Sequence, residues 1–228
     1  MKKALTGIVV TAAAFVGVTL ATIQPAQASS TKFTASEINK PTGYFNSTKA
    51  QYAFHWKTVK NKKGTVHYLI FGDFSKPALS TGVVSAKYKL SKTHRTLTTT
   101  YRAIDSKGNL GKTYKFTLYK QSSTKYRGYL TYQGVNVHQL STKGTAYTFT
   151  KTKTSPATKF AQYAKPTLTS YYTDELNANV QKEYQEGIAA GKNYKDPATD
   201  SDVQAKIKDT VNTQVASDLV TLAKSFNG

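Results

Sequence analysis

The chain has 228 residues, 12% of them aromatic, no cysteine and a formal net charge of +20. A chain of this length forms one domain or two small ones, and the absence of cysteine excludes disulfides, thiol nucleophiles and thiolate metal sites. The charge is uneven, because residues 29–151 hold 21 Lys and Arg against Glu37, Asp73 and Asp105, whereas residues 152–228 are neutral. This asymmetry favours a polyanionic partner. The alternative is a basic exported protein whose charge serves only solubility.

The first 28 residues have the pattern of a secretory signal peptide. Lys2 and Lys3 precede an apolar run, Ala4–Ile23, and Ala26-Gln27-Ala28 offers a cleavage site. We therefore predict cleavage after Ala28, with an uncleaved membrane anchor as the alternative. The C-terminal residues lack a sortase motif, so we expect a secreted protein that is extracellular or held at the cell wall non-covalently.

A polar lead-in segment, residues 29–50, comes next. Its Gly43-Tyr44-Phe45 resembles the Gly-x-Trp with which lipocalin-like barrels open, but a phenylalanine replaces the tryptophan, so no family is assigned. We predict that this segment is separate from the β domain that follows.

Residues 51–151 predict a basic antiparallel β domain, because apolar and polar residues alternate with a period of two between short turns. The expected apolar faces are Tyr52/Phe54/Trp56, Val66/Tyr68/Ile70, Val84/Ala86/Tyr88/Leu90, Leu97/Thr99/Tyr101/Ala103, Tyr114/Phe116/Leu118, Tyr126/Gly128/Leu130/Tyr132, Val135/Val137 and Tyr147/Phe149. Short connections force antiparallel neighbours. The predicted fold class is mainly β with an α appendage: a meander of about seven or eight strands forming a small barrel or half-barrel, followed by a C-terminal helical hairpin.

Residues 152–170 predict a linker, and residues 171–228 predict the helical hairpin. Thr173 is the expected N-cap of the first helix, which should end near Gly191. A second helix should begin at Asp200 or Ser201, where Ser201 and Gln204 suit a capping box. Its apolar stripe consists of Val203, Ile207, Val211, Val215, Leu219, Leu222 and Phe226. We expect the hairpin to pack on the β domain; a dimer interface or a docking element for another protein are the alternatives.

No group of residues predicts catalysis, a cofactor or a metal site. The four histidines, His55, His67, His94 and His138, lack metal-ligand spacing. The three acids of residues 29–151 form no evident carboxylate pair, and Gly-x-Ser-x-Gly is absent. The sequence therefore predicts a non-enzymatic protein without cofactors.

Most strand cations fall opposite the predicted apolar faces. The residues predicted to bind a polyanion are Lys57, Lys87, Lys89, Arg102, Lys115, Lys125 and Arg127. A surface kept only for solubility normally mixes both signs of charge, so we expect a Gram-positive envelope protein that binds an anionic polymer: teichoic acid, acidic polysaccharide or anionic lipid. Sequence-specific nucleic-acid recognition is not expected, because no reading motif is present.

The leading alternative is a lipocalin-like carrier of a small apolar ligand inside the barrel. The candidate pocket-lining residues are Trp56, Tyr68, Tyr101, Phe116 and Leu130. Small barrels usually fill with their own side chains, which makes a packed core the ordinary expectation.

Overall fold

A computed structural model describes residues 30–39, 41–62, 64–131 and 147–228, apart from the side chains of Asn39, Asn61, Ala86, Lys87, Leu130 and Thr131. Eight strands form a closed barrel in sequence order. They are β1 (Tyr44–Ser47), β2 (Tyr52–Asn61), β3 (Gly64–Asp73), β4 (Ala78–Leu90), β5 (Thr96–Ile104), β6 (Leu110–Lys120), β7 (Lys125–Thr131) and β8 (Thr148–Thr152). The prediction of an antiparallel meander with a helical appendage is confirmed.

Closure of the barrel depends on β1, which lies in the segment that the sequence set apart as lead-in. Tyr44 pairs with His55 of β2 on one side and with Thr152 of β8 on the other. Pairing with both neighbours leaves β1 no free edge, which is how a barrel avoids edge-to-edge aggregation. The predicted strand at Val135–Val137 lies outside the described residues.

Gly43 occupies the seam between β1 and β8. Its φ is +85°, and a Cβ added there would lie 2.6 Å from the backbone oxygen of Thr152. Only glycine tolerates both the left-handed backbone and this close approach.

Aromatic rings fill the described interior. Phe54 stacks on Phe45 at 5.0 Å between ring centroids and lies 4.9 Å from Phe116 and 5.1 Å from Phe149. Separations of 4.5–7 Å are those of favourable aromatic pairs. The interior is therefore a packed core that also includes Trp56, Leu69, Phe71, Leu97, Tyr101, Leu118 and Tyr126.

A short helix, α1 (Ala35–Asn39), closes the end of the barrel at which β4 turns into β5 and β6 into β7. The backbone N–H of Phe33 donates to the backbone oxygen of His94, in the β4–β5 turn, at 2.8 Å. Lys120 Nζ donates to both carboxylate oxygens of Glu37, at 2.9 and 2.8 Å, and to the backbone oxygen of Lys32 at 3.0 Å. The Lys120 side chain is only 3% exposed and that of Glu37 19%, so this ion pair fastens α1, which we call the plug, inside the barrel mouth.

Three further helices follow the barrel: α2 (Ala157–Ala161), α3 (Lys165–Ala189) and α4 (Ser201–Asn227), with a 3-10 turn at Gln162–Ala164. The expected N-cap at Thr173 is wrong, because α3 already begins at Lys165 and carries Pro166 in its first turn, where the missing N–H costs nothing. Part of the predicted linker is therefore helical.

The start of α4 is capped by Asp200 and not by the predicted Ser201–Gln204 box. The Asp200 carboxylate accepts hydrogen bonds from the N–H groups of Asp202 and Val203. Gln204 instead donates through Nε2 to the backbone oxygen of Pro197 at 3.0 Å. Asp200 thus both satisfies free N–H groups and complements the helix dipole.

The helices cover the outer face of strands β1–β4. Phe226 at the end of α4 packs on Phe74 and His55, with ring centroids 5.3 and 4.9 Å apart. His55 Nε2 lies 2.6 Å from the backbone oxygen of Phe226. Because a carbonyl oxygen can only accept, this nitrogen must carry a proton. Burial, the largest influence, lowers the pKa of His55, which favours the neutral form. The strand residues in this second cluster include Ala53 and Ile70.

Candidate anion-binding surface

The outer face of β5–β8, together with the C-terminal end of β4, carries charge of one sign. No acidic residue belongs to β4, β5, β6, β7 or β8. We define the basic face by six of the described cations that these strands and the β4–β5 turn carry: Lys89, Arg95, Arg102, Lys115, Lys125 and Arg127. It lies away from the helix-covered side, whose cluster draws its strand residues from the first part of the barrel.

Alternation along the strands produces this face. Phe116 and Leu118 of β6 are buried in the core. Lys115, Thr117 and Tyr119 alternate with them along the strand and therefore point outward. The register then aligns the strands, because Thr117 pairs with Thr98 of β5 and with Tyr129 of β7. Threonine and tyrosine thus separate the cations, giving hydroxyl groups and ring faces beside positive charge.

One acid stands at the edge of the basic face, in the β5–β6 turn. The Asp105 carboxylate accepts hydrogen bonds from the N–H groups of Lys107 and Asn109, at 2.9 and 2.8 Å. The Asn109 N–H lowers the pKa of Asp105 most. Asp105 therefore shapes its turn, and among the described residues it forms no ion pair with a cation of the basic face.

Three of the predicted polyanion-binding lysines are exposed on the basic face: Lys89, Lys115 and Lys125. Arg102 is exposed there too, but its guanidinium donates to the backbone oxygens of Leu110 and Gly111, at 2.7 and 3.2 Å. The Arg102 guanidinium thus already hydrogen-bonds to its own β5–β6 hairpin.

The described structure does not place the two other predicted lysines on the basic face. Lys57 lies on β2 and donates through Nζ to the backbone oxygen of Gly228, so it belongs to the helix-covered side. Lys87 is on β4, but its side chain lies outside the described part.

Arg127 and a residue that sequence reasoning missed, Arg95, flank one tyrosine. Arg95 Cζ lies 4.9 Å from the ring centroid of Tyr119, within the range of a cation–π contact. Tyr119 pairs across the ladder with Arg127 on one side and Thr96 on the other. Arg95 was missed because it precedes the first residue of β5, where alternation gives no signal.

The candidate pocket-lining residues divide between the two faces of the barrel. Trp56, Tyr101 and Phe116 are buried in the interior core. The placement of Tyr68 in this set is wrong, because it packs on the outer cluster beneath the helices. Leu130 pairs with Phe116 through its backbone, and its side chain lies outside the described part. The ring-on-ring packing gives a ligand cavity no support.

His67 and Asp73 have local structural partners. His67 Nδ1 lies 2.9 Å from Thr58 Oγ1, and the Asp73 carboxylate accepts from the N–H and hydroxyl of Ser75 at 3.1 and 2.6 Å. His94 is exposed in the β4–β5 turn, and His138 lies outside the described residues. Within the described ranges, no three histidine or acidic side chains are grouped so as to hold a metal ion.

Comparison with known proteins gives no match. No family model, curated protein or solved structure resembles this chain significantly. Among the described helices, none combines the length and the apolar character needed to span a bilayer. Function must therefore be inferred from the surface itself.

Proposed function

We propose that this protein is an exported, non-enzymatic component of a Gram-positive envelope that binds an anionic wall polymer through its basic face. The observation that carries the proposal is the absence of any acid from β4–β8 together with outward cations on those strands. Dense polyanions bind such a surface by releasing their counterions. The predicted signal peptide supports an external location.

A polymer suits the basic face better than a lipid bilayer. Interfacial anchors place large apolar side chains beside their cations, but the outward residues between these cations are threonines and tyrosines. Of the strongly exposed apolar side chains in the described part, only Leu110 lies near this face; Tyr171, Ile188, Tyr194 and Val220 belong to the helical region. A hydrated chain of phosphates or carboxylates needs no apolar insertion.

The other two hypotheses have less support. The described barrel interior is filled with rings, so the small-ligand carrier stays a prediction without a cavity behind it. Docking through the α4 stripe is likewise disfavoured, because Val211, Val215 and Phe226 are buried within this chain.

Co-sedimentation with purified cell walls over a salt series tests the proposal. We expect retention at low salt that falls steeply between about 50 and 200 mM salt, as polyanion binding does. Removing teichoic acid from the walls should abolish most of it. Retention that ignores both salt and teichoic acid would contradict the proposal.

A pair of charge-matched variants locates the binding surface. Lys89→Gln/Lys115→Gln/Lys125→Gln removes three charges from the basic face, whereas Lys182→Gln/Lys206→Gln/Lys208→Gln removes three exposed charges from the helices. Only the first should flatten the salt dependence, by about one unit of slope for each lost phosphate contact. Equal losses in both variants would mean that net charge, and not this face, drives retention.

A further inference from the structure

Within the basic face, one row of side chains has the character of a formed site. Its members are Arg95, Tyr119 and Arg127, which we call the Arg–Tyr–Arg row. Directly paired residues have Cβ atoms about 5 Å apart, and Tyr119 and Arg127 are such a pair. The Arg95 guanidinium lies over the Tyr119 ring at 4.9 Å. Arg95, just before β5, and Arg127 of β7 thus flank Tyr119 from its two sides, the first by its guanidinium and the second by direct pairing across the ladder.

Both arginines contain a buried donor that no described residue satisfies. The Nε atoms of Arg95 and Arg127 are buried and have no hydrogen-bond partner in the described part of the chain. The ion pairs found there are Lys120–Glu37, Lys182–Glu186 and Lys195–Asp200, so no described acid neutralises either arginine. Buried polar groups are normally satisfied, and an exception calls for a water or an ion.

Arg102 on the same face is the contrasting case. Its guanidinium donates to two backbone oxygens of its own hairpin, at 2.7 and 3.2 Å. Protein acceptors can therefore reach a guanidinium on this surface. Packing against the sheet orients Arg95 and Arg127 in advance, and such preorganisation lowers the entropy lost when a ligand binds.

We propose that the Arg–Tyr–Arg row is a phosphate-binding subsite for a phosphodiester wall polymer. This inference rests on the proposed function and adds its chemical specificity. The two free oxygens of a phosphodiester diverge tetrahedrally, so they can accept from guanidinium groups on two different strands. A single arginine fork can hold either anion, but the two oxygens of a carboxylate lie in one plane and suit one fork better than two diverging donors. The row therefore favours phosphate over carboxylate.

The surroundings extend the subsite along a polymer. Lys125 is two residues before Arg127 and on the same face of β7, and it is exposed. Thr148 of β8 pairs with Arg127 and lies 3.4 Å from Gln121, from Thr148 Oγ1 to Gln121 Oε1. A second phosphate of the polymer can bind Lys125. The Thr148 hydroxyl and the Gln121 amide, beside Arg127, can hydrogen-bond to hydroxyl groups of the polymer.

Replacing both arginines by lysine tests the subsite, because Arg95→Lys/Arg127→Lys keeps the charge but removes the planar fork. Binding is measured by titration with lipid-free poly(glycerol phosphate), with poly-glutamate and with phosphatidylglycerol vesicles. We expect about tenfold weaker binding to poly(glycerol phosphate), the loss of roughly one charge-assisted hydrogen bond, and little change with poly-glutamate. The control, Lys89→Gln/Lys115→Gln, should weaken binding to both soluble polymers to a similar extent.

The outcomes separate the subsite from the proposed function. Wild-type protein that binds no polyanion at low salt overturns the proposed function. Wild-type binding with an unaffected double variant, or an equal loss on poly-glutamate, overturns only the subsite. A loss confined to the vesicles assigns the phosphate to lipid headgroups and contradicts the polymer. If the double variant does not fold, each single Arg→Lys variant should lose about threefold, and no loss in either refutes the subsite.

Discussion

Removing Lys120 should loosen the plug that closes the barrel mouth. In Lys120→Met the Glu37 carboxylate loses the ammonium that holds both of its oxygens, at 2.9 and 2.8 Å. Breaking a buried ion pair costs about 3–5 kcal/mol because an uncompensated charge remains. The Glu37 side chain is 19% exposed, so water can solvate it partly, and we expect about 2–3 kcal/mol. That corresponds to a fall in Tm of roughly 5–10 °C for a protein of this size.

The pH dependence of this loss identifies its cause. Burial raises the pKa of Glu37, but the hydrogen bonds from Lys120 and the Thr34 N–H together outweigh it and leave the pKa below its ordinary 4.5. A carboxyl with a lowered folded pKa stabilises the fold above its unfolded pKa and loses that contribution as the pH falls through the folded value. The stability difference between wild type and Lys120→Met should therefore be largest near pH 7 and shrink below about pH 4.5.

Urea unfolding at pH 7 and at pH 3 measures this difference directly. Lys115→Met, which alters an exposed lysine of the same strand, is the matched control and should be nearly neutral. Glu37→Gln/Lys120→Met should recover part of the loss, because neither partner is then left charged. Equal stability of wild type and Lys120→Met at pH 7, or a difference that does not shrink with acid, would refute the reasoning.

Three further predictions test the fold. Gly43→Ala should lower the Tm more than Gly108→Ala, because both have φ near +80° but only Gly43 has a backbone oxygen within 4 Å of the new Cβ; equal losses would mean that backbone strain alone matters. Asp200→Ala should lower the Tm measurably, and Ser201→Ala almost not at all; the reverse order would restore the predicted capping box. Because the pKa of His55 is lowered, wild-type stability should fall as the pH drops below about 6.5, and His55→Gln should remove that part of the decline in a urea–pH series.

Alternation was sufficient to predict the barrel wall but not which side of every strand faces inward. In the β2–β3 hairpin, His55 pairs with Ile70 and Thr58 with His67. β3, however, is apolar on both faces, because one is core and the other lies beneath the helices. Its inward face is set by Phe71 pairing with Phe54, a long-range fact that periodicity does not contain, and so Tyr68 was assigned to the wrong side.

Contacts between distant residues explain the other misses. Glu37 and Lys120 are 83 residues apart, and nothing local marks either as a partner. The lead-in looked dispensable because it is polar and short, yet β1 closes the barrel within it. In the predicted linker, proline and threonine suggested an irregular chain, although Pro166 fits the first turn of α3.

The candidate site shows why charge counted along a sequence overestimates the cations that can bind a ligand. Lys57 donates a hydrogen bond to the end of α4, Arg102 donates to its own hairpin, and Lys120 donates to Glu37 of the plug. Arg95 and Arg127 have no hydrogen-bond partner at Nε among the described residues. Folding therefore divides the cations into those that stabilise the protein and those left on the surface, and only the second group can account for a partner. Substitutions in the first group should change stability, and substitutions in the second should change binding with little effect on unfolding.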